Sequence, residues 1–87
     1  MLSYEDSIFS MRINITSDFY LACFLISNGL IYRGIQHGEV RGRKEFIFED
    51  SSDWNALTKK FKYERPEVRV HEFIAALRRL KSDLHGD

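Results

Sequence analysis

The chain has 87 residues, of which 44% are hydrophobic and 14% aromatic, so it is long enough for one core and too apolar for an intrinsically disordered chain. Thirteen Lys and Arg residues balance thirteen Asp and Glu residues, and the formal net charge is zero. No global field therefore draws the chain to nucleic acid or to an anionic membrane, and any such binding requires a local patch.

The chain begins with a polar stretch that leads into a predicted strand. We expect residues 1–7 to be a flexible N-terminus and residues 8–87 to form a single compact domain. Within residues 8–15, apolar side chains occupy every second position: Phe9, Met11, Ile13 and Ile15. A period of two predicts a strand with one buried face, and the edge of this strand would be available for sheet extension.

Residues 15–30 predict one short helix around which the other elements are arranged. Thr16, Ser17 and Asp18 offer side-chain acceptors to the first turn, and Asn28 and Gly29 form a stop signal. Between these ends, apolar residues cover more than half of the helix circumference: Phe19, Leu21, Ala22, Cys23, Phe24, Leu25 and Ile26. Such a helix must be enclosed by its neighbours or by a second copy, and it is too short to cross a bilayer.

The cysteine content and the first residues indicate in which cellular compartment the protein is expected. Cys23 is the sole cysteine and has no intramolecular disulfide partner, which fits a reducing environment. The start of the chain carries Glu5 and Asp6 and lacks the basic residues of a signal peptide. We therefore expect a cytoplasmic protein.

The middle of the chain predicts a β-hairpin. Residues 30–36 and 44–50 read as strands, and residues 37–43 form a loop that is longer than a tight turn. Gly34 inside the first of these strands indicates a bulge or a close approach. In the second strand, Phe46 and Phe48 share the face that should be buried, whereas Glu45, Ile47 and Glu49 share a mostly wet face.

Two amphipathic helices are predicted to follow the hairpin. Asp50, Ser51, Ser52 and Asp53 are typical of a helix start, and Trp54, Leu57 and Phe61 form one apolar stripe. After a connector with the only proline, residues 72–84 place four apolar side chains on one face: Phe73, Leu77, Leu80 and Leu84. Arg79 and Asp83 are spaced for an ion pair. The whole order predicts an α+β fold, a three-stranded antiparallel sheet with helices packed on one face.

Three segments resemble a known family. They are TSDFYLACFLISNGL, the strand-to-helix segment FIFEDS and the C-terminal segment FIAALRRLKS, and the resemblance extends over roughly residues 15–84. These segments resemble small bacterial and phage proteins that are grouped only as a domain of unknown function. The resemblance implies a compact α+β unit, often found in phage or mobile elements, with no catalytic residue to carry over. The loop at residues 37–43 is longer than this pattern leads us to expect.

Two basic sets are candidates for nucleic-acid binding. At the hairpin tip, Arg33, Arg41, Arg43 and Lys44 lie near His37 in the sequence, and arginine pairs well with phosphate oxygens. Around the second helix, a basic belt is formed by Lys59, Lys60, Lys62, Arg65 and Arg69, interleaved with aromatic residues. The alternative for both sets is a solvated surface, because glutamates interrupt each of them.

Metal and catalytic chemistry have weaker signals. The three histidines are His37, His71 and His85, and none has a second ligand at a helical spacing of four, so we expect no metal and no cofactor. Glu49, Asp50 and Asp53 cluster where a strand meets a helix. Paired carboxylates can act in acid–base catalysis, but helix capping explains these as well.

Surplus apolar surface supports the leading hypothesis, a non-enzymatic module that docks on another macromolecule. Three apolar helix stripes exceed what a small sheet can cover, and exposed aromatic surface is typical of protein interfaces. The expected anchors are Tyr32, Ile47, Trp54 and Phe9. We expect a protein partner and a homodimer, and a phage or mobile-element accessory role. Nucleic-acid binding through Arg41, Arg43, Lys44, Lys59, Lys62 and Arg69 is the alternative, and a hydrolase is a third.

Overall fold

Six elements make up residues 12–86, the part of the chain that the computed structural model describes. In chain order they are β1 (Ile13–Thr16), α1 (Phe19–Ser27), β2 (Tyr32–His37), β3 (Lys44–Glu49), α2 (Trp54–Tyr63) and α3 (Val70–Leu84). The predicted α+β fold and its strand and helix order are confirmed. The predicted flexible N-terminus, the start of the first predicted strand and the anchor Phe9 lie outside the described residues.

The three strands form one antiparallel sheet in the order β1-β3-β2. β3 is central, because β1 pairs with it through Ile15 and Ile47 on one side and β2 pairs with it through Ile35 and Phe46 on the other. The register shifts at Gly34, whose φ of 127° lies in a region that glycine adopts without strain. The predicted bulge is therefore confirmed.

Local signals set the ends of α1. The Asp18 side chain accepts a hydrogen bond from the backbone N–H of Leu21 at 3.0 Å, which caps the first turn. At the other end, Gly29 has a φ of 94°, and the N–H of Leu30 donates to the carbonyl of Leu25 at 3.1 Å. This is the Schellman arrangement that the sequence predicts.

All three helices cover the same face of the sheet. Leu21, Ala22, Cys23, Phe24 and Leu25 are five consecutive buried residues of α1. Aromatic rings join the layers, since the ring of Phe19 packs on that of Phe46, that of Trp54 on Phe48, and that of Phe61 on Phe24. The apolar helix is thus enclosed by the sheet and by its two helical neighbours.

The two C-terminal helices pack against α1 on the same face of the sheet. α1 packs against both α2 and α3, and α3 also contacts β2. Ala76 and Leu80 are the buried residues of α3, while α2 contributes half-buried side chains such as Leu57. Among the helices in residues 12–86, none combines the length and apolar character that crossing a membrane requires.

The strand β1 and the start of α3 differ from the sequence prediction. The apolar side chains of β1 were expected on the buried face, but Ile13 and Ile15 are exposed and Asn14 and Thr16 are the less exposed pair. The reason is the register, which places Ile15 beside Ile47 rather than beside the buried phenylalanines. The last helix also begins at Val70, two residues earlier than expected.

Candidate protein-binding surface

One face of the sheet is not covered by any helix of residues 12–86, and we call it the open face. Ile15 of β1, Ile47 of β3 and Gly34 of β2 form one row across the open face, because paired residues of neighbouring strands point to the same side. Ile13 lies two residues before Ile15 on that side. Ile13 is 45% exposed and Ile15 is 41% exposed, and Ile47 is half-buried. Three isoleucines thus meet solvent on one face.

Polar pairs border this apolar row along the hairpin. The Arg33 guanidinium donates to Glu49 at 2.8 Å, and the Gln36 amide donates to Glu45 at 3.0 Å. Both carboxylates lie on β3, two residues before and after Ile47, and therefore on the open face. The apolar row is framed by charged and amide groups, which is typical of an interaction surface with an apolar centre.

A cavity of about 400 Å³ continues the open face towards the hairpin loop. Ile15 and Val40 supply apolar lining, and His37, Glu39 and Arg43 supply polar groups. The loop itself is closed by hydrogen bonds, because the N–H of Gly38 donates to the carbonyl of Arg43 at 2.9 Å. The longer loop thus borders the open face.

The expected anchors do not share one surface. Ile47 lies on the open face, but Trp54 is half-buried and its ring packs on Phe48, 5.6 Å away, on the covered face. Tyr32 is only 6% exposed and also packs on Phe48. The expectation that Tyr32 is an exposed anchor is therefore wrong. Exposure was expected because three apolar helix stripes exceed what a small sheet can cover, whereas the pairing of Tyr32 with Phe48 places its side chain on the covered face.

The side chain of Tyr32 makes contacts within the fold instead. Its hydroxyl donates to the Asp83 carboxylate at 2.6 Å, and the Arg79 guanidinium lies 4.8 Å from the ring centroid. Burial, and then the hydrogen bond to Asp83, raise the pKa of Tyr32 well above its usual value near 10. In place of the predicted ion pair between Arg79 and Asp83, both side chains are directed at Tyr32.

The predicted basic residues are not brought together. Arg43 lines the cavity beside Ile15, whereas Arg69 lines a different cavity beside Asn28 and pairs with Glu72 at 3.3 Å. Arg41 and Lys44 belong to the hairpin, and Lys59 and Lys62 are exposed on α2. The hairpin set and the helical belt are therefore separate surfaces.

The acidic cluster is engaged with protein groups. Glu49, Asp50 and Asp53 surround one cavity of about 190 Å³, but Glu49 pairs with Arg33 and Asp50 accepts from the Asn14 amide at 3.1 Å. In residues 12–86, no group of three or more His, Cys, Asp or Glu side chains is arranged to hold a metal ion.

The row formed by Ile15, Ile47 and Gly34 was not predicted from the sequence. Ile47 was assigned correctly to the wet face, but Ile15 was assigned to a buried one. The available signal was Ile47 itself, an apolar residue that shares one face of β3 with Glu45 and Glu49.

Comparisons with known proteins place the chain in a family but not in a function. No curated protein and no solved structure matches it significantly. One family model matches residues 11–86, which covers all six elements and the open face. The chain therefore belongs to the family described as domain of unknown function DUF5659.

Proposed function

We propose that the chain is a small non-enzymatic module that binds another protein through the open face. The observation that supports this proposal most directly is that exposed Ile13 and Ile15 lie beside half-buried Ile47 on the sheet face opposite to the one that the helices of residues 12–86 cover. A cytoplasmic location and an accessory role in a phage or mobile element belong to the same proposal, and they rest on the sequence alone.

Energetics favour occupation of this face. Full burial of an isoleucine side chain stabilises by roughly 1.5–3 kcal/mol, so three half-exposed isoleucines leave on the order of 2–4 kcal/mol for a partner to recover. Charged and amide groups border them, and a polar border around an apolar centre suits a specific interface more than nonspecific aggregation. The partner is expected to be apolar where it meets Ile47.

Site-specific photo-cross-linking tests the proposal. A photoreactive amino acid is placed at Ile15 or Ile47 in the full chain, which is expressed in its native host and irradiated. Ile74 on α3 is the matched control, because it is also an isoleucine and is 40% exposed, against 41% for Ile15. The proposal predicts a discrete covalent adduct from Ile15 and Ile47 and none from Ile74.

The mass of the adduct separates the partners. An adduct of twice the chain mass supports the homodimer expected from the sequence, and any other discrete protein mass supports a different partner. Absence of adducts at both open-face positions, or equal adducts at Ile74, contradicts docking through the open face.

A second candidate function is nucleic-acid binding, which one observation favours. Eight Lys and Arg residues but only four Asp and Glu residues lie between residues 54 and 86, so the neutral chain carries its positive charge on the helical side. Two of these acids, Glu72 and Asp83, already interact with Arg69 and Tyr32. Exposed Lys59 and Lys62 are then the natural phosphate contacts.

Gel retardation with a salt series tests this second candidate. Binding by the helical side predicts retardation of duplex or single-stranded DNA at low salt that weakens as salt rises, and a loss in the Lys59→Glu, Lys62→Glu double variant. The Arg41→Glu, Arg43→Glu variant is the control for the hairpin set. No retardation at low salt contradicts both basic surfaces.

A further inference from the structure

We infer that Asn28 is a site of spontaneous covalent modification, which the fold slows and which destabilises the C-terminal end of α1 once it has occurred. Asn28 precedes Gly29, whereas the other two asparagines of the chain precede residues that carry a Cβ. Asparagine is a thermolabile residue, and a following glycine has no side chain to obstruct the approach of its own backbone nitrogen. The inference is independent of what the open face binds.

The reaction is deamidation, and its only co-reactant is water. The backbone nitrogen of Gly29 attacks the side-chain carbonyl carbon of Asn28. The proton of that nitrogen passes through water to the amide nitrogen of Asn28, which leaves as ammonia, so a cyclic imide joins the two residues. A second water opens the imide at either carbonyl group. The product is an aspartate or an isoaspartate, in which the backbone continues through the side-chain carboxyl carbon.

The folded backbone holds Gly29 away from the side chain that it must attack. Asn28 has a ψ of 10°, so the nitrogen of Gly29 is nearly eclipsed with the backbone nitrogen of Asn28 and does not lie beside its Cβ. The N–H of Gly29 donates to the carbonyl of Ile26 at 3.0 Å. The side-chain amide of Asn28 donates to the carbonyl of Phe24 at 2.8 Å. Ring closure requires rotation about the Cα–C bond of Asn28, so both hydrogen bonds must break first.

The opening that permits the reaction is local to the end of α1. Leu30 belongs to the same helix stop, because its N–H donates to the carbonyl of Leu25 at 3.1 Å and its side chain is buried. Helix ends open at a lower free-energy cost than a whole core does. The rate of modification in the folded chain is therefore expected to follow the fraction of molecules in which this helix end is open.

The surroundings of Asn28 disfavour the product. An ionised aspartate accepts hydrogen bonds but donates none, so the bond to the Phe24 carbonyl cannot form again. The new charge also lies at the end of α1 where the helix dipole is negative.

Acidic side chains on both sides of Asn28 add to this effect. Asn28 lines two cavities, and the other lining residues include five carboxylates and one guanidinium: Glu67, Glu72 and Arg69 in one cavity and Glu49, Asp50 and Asp53 in the other. Arg69 already pairs with Glu72 at 3.3 Å. The new carboxylate therefore meets mostly like charge, and the modified helix end is expected to stay open more often.

Peptide mapping of the full chain by mass spectrometry tests the inference. The chain is incubated at mildly alkaline pH, either folded in buffer or unfolded in urea, and Asn14 and Asn55 are followed in the same samples as controls. Asn28 is expected to convert before both controls in the unfolded chain, and at least about fivefold more slowly in the folded chain. No faster conversion of Asn28 than of the controls, or a ratio below about fivefold, overturns the inference.

Two leucine variants distinguish local opening from opening of the whole chain. Leu30→Ala removes a buried side chain at the end of α1, whereas Leu57→Ala removes a half-buried one from α2. Under folding conditions, Leu30→Ala is expected to raise the conversion rate of Asn28 at least about fivefold more than Leu57→Ala does. A smaller difference overturns local opening. Circular dichroism checks that both variants are folded, and Leu30→Val replaces Leu30→Ala if the latter is not.

The Asn28→Asp variant reproduces one product and tests its effect on the fold. It is expected to unfold at a lower urea concentration than Asn28→Ala, which loses the same hydrogen bond without adding charge. Added salt screens the charge and should narrow this difference. Equal urea midpoints for the two variants overturn the destabilisation of α1 by the modification.

Discussion

The hydroxyl of Tyr32 donates a hydrogen bond to the carboxylate of Asp83 at 2.6 Å, and this contact joins β2 to the last turn of α3. The two residues are 51 positions apart in the sequence, so the hydrogen bond is a long-range tertiary contact. The Arg79 guanidinium packs over the same ring. Tyr32 therefore links the sheet to the C-terminal helix.

Replacing Tyr32 by Phe removes the hydroxyl and keeps the ring. We expect the free energy of unfolding to fall by about 1–2 kcal/mol, because a hydrogen bond to a charged acceptor is lost while the packing on Phe48 remains. Urea unfolding at neutral pH measures this difference. Ser82→Ala on the exposed side of the same helix is the control and should change stability by less than about 0.5 kcal/mol. Equal stability of Tyr32→Phe and the unchanged chain would mean that the Tyr32 hydroxyl does not donate a hydrogen bond to Asp83 in solution.

The same residue predicts an alkaline dependence of stability. The pKa of Tyr32 is raised in the folded chain, so its contribution is fully present below the unfolded pKa near 10 and is lost as the pH rises beyond that value. Unfolding measured from pH 8 to pH 11 is expected to show a steeper loss for the unchanged chain than for Tyr32→Phe. Parallel curves for the two proteins would contradict the raised pKa.

Asp18 and Asp53 both stand at helix starts but differ in whether the side chain accepts a capping hydrogen bond. Asp18 accepts from the N–H of Leu21, whereas Asp53 makes no side-chain capping bond although it stands at the start of α2. We expect Asp18→Ala to destabilise by about 1 kcal/mol and Asp53→Ala by less than about 0.5 kcal/mol. Thermal unfolding of the two variants side by side measures the difference. The order of the two effects is the prediction, and a reversed order would contradict the observed caps.

Alanine substitutions at two glycines of the hairpin distinguish the energetic cost of backbone strain from the cost of steric contact. Gly34 has a φ of 127° and open space around a Cβ, so the cost of Gly34→Ala comes from the backbone and should be about 1–3 kcal/mol. At Gly38 a Cβ would lie 2.9 Å from the carboxylate of Glu45, a side chain that can move, and the cost should be smaller. Chemical unfolding of both variants tests this ranking. A harmless Gly34→Ala would argue against the bulge.

The buried thiol of Cys23 reports on opening of the core. Burial raises the pKa of Cys23 from 9.0 to about 11, and the residue has no exposed surface, so a thiol reagent should modify it only when the chain opens. We expect labelling to be slow in buffer and fast in denaturant. The raised pKa adds stability below pH 9 that is lost as the pH rises towards 11. Rapid labelling of the native chain would contradict the enclosure of α1.

Local signals made much of this fold predictable. The start of α1 at Asp18 and its stop at Gly29 depend on residues within one turn, and the alternation of Phe46 and Phe48 with Ile47 fixes the two faces of β3. Positions that depend on distant partners were not predictable. The strand register decided that Ile15 lies on the open face, and the arrival of α3 decided that Asp83 binds Tyr32 rather than Arg79.

The candidate surface was predictable only in part for the same reason. Ile47 was expected on the outer side of β3 because glutamates flank it in the sequence. Its neighbours Ile15 and Gly34 come from two other strands, so the apolar row exists only once the three strands are paired. A surface that is assembled from single residues of separate strands leaves no contiguous motif.

The most direct measurement of the central claim, that the open face is uncovered in the isolated chain, is equilibrium unfolding of Ile15→Glu beside Ile74→Glu with light scattering of both. The two isoleucines are 41% and 40% exposed, so each substitution is expected to lower the free energy of unfolding of the monomer by less than about 1 kcal/mol. A loss above about 2 kcal/mol that is confined to Ile15→Glu, at unchanged molecular mass, would show that Ile15 is already buried within the chain and would contradict the account.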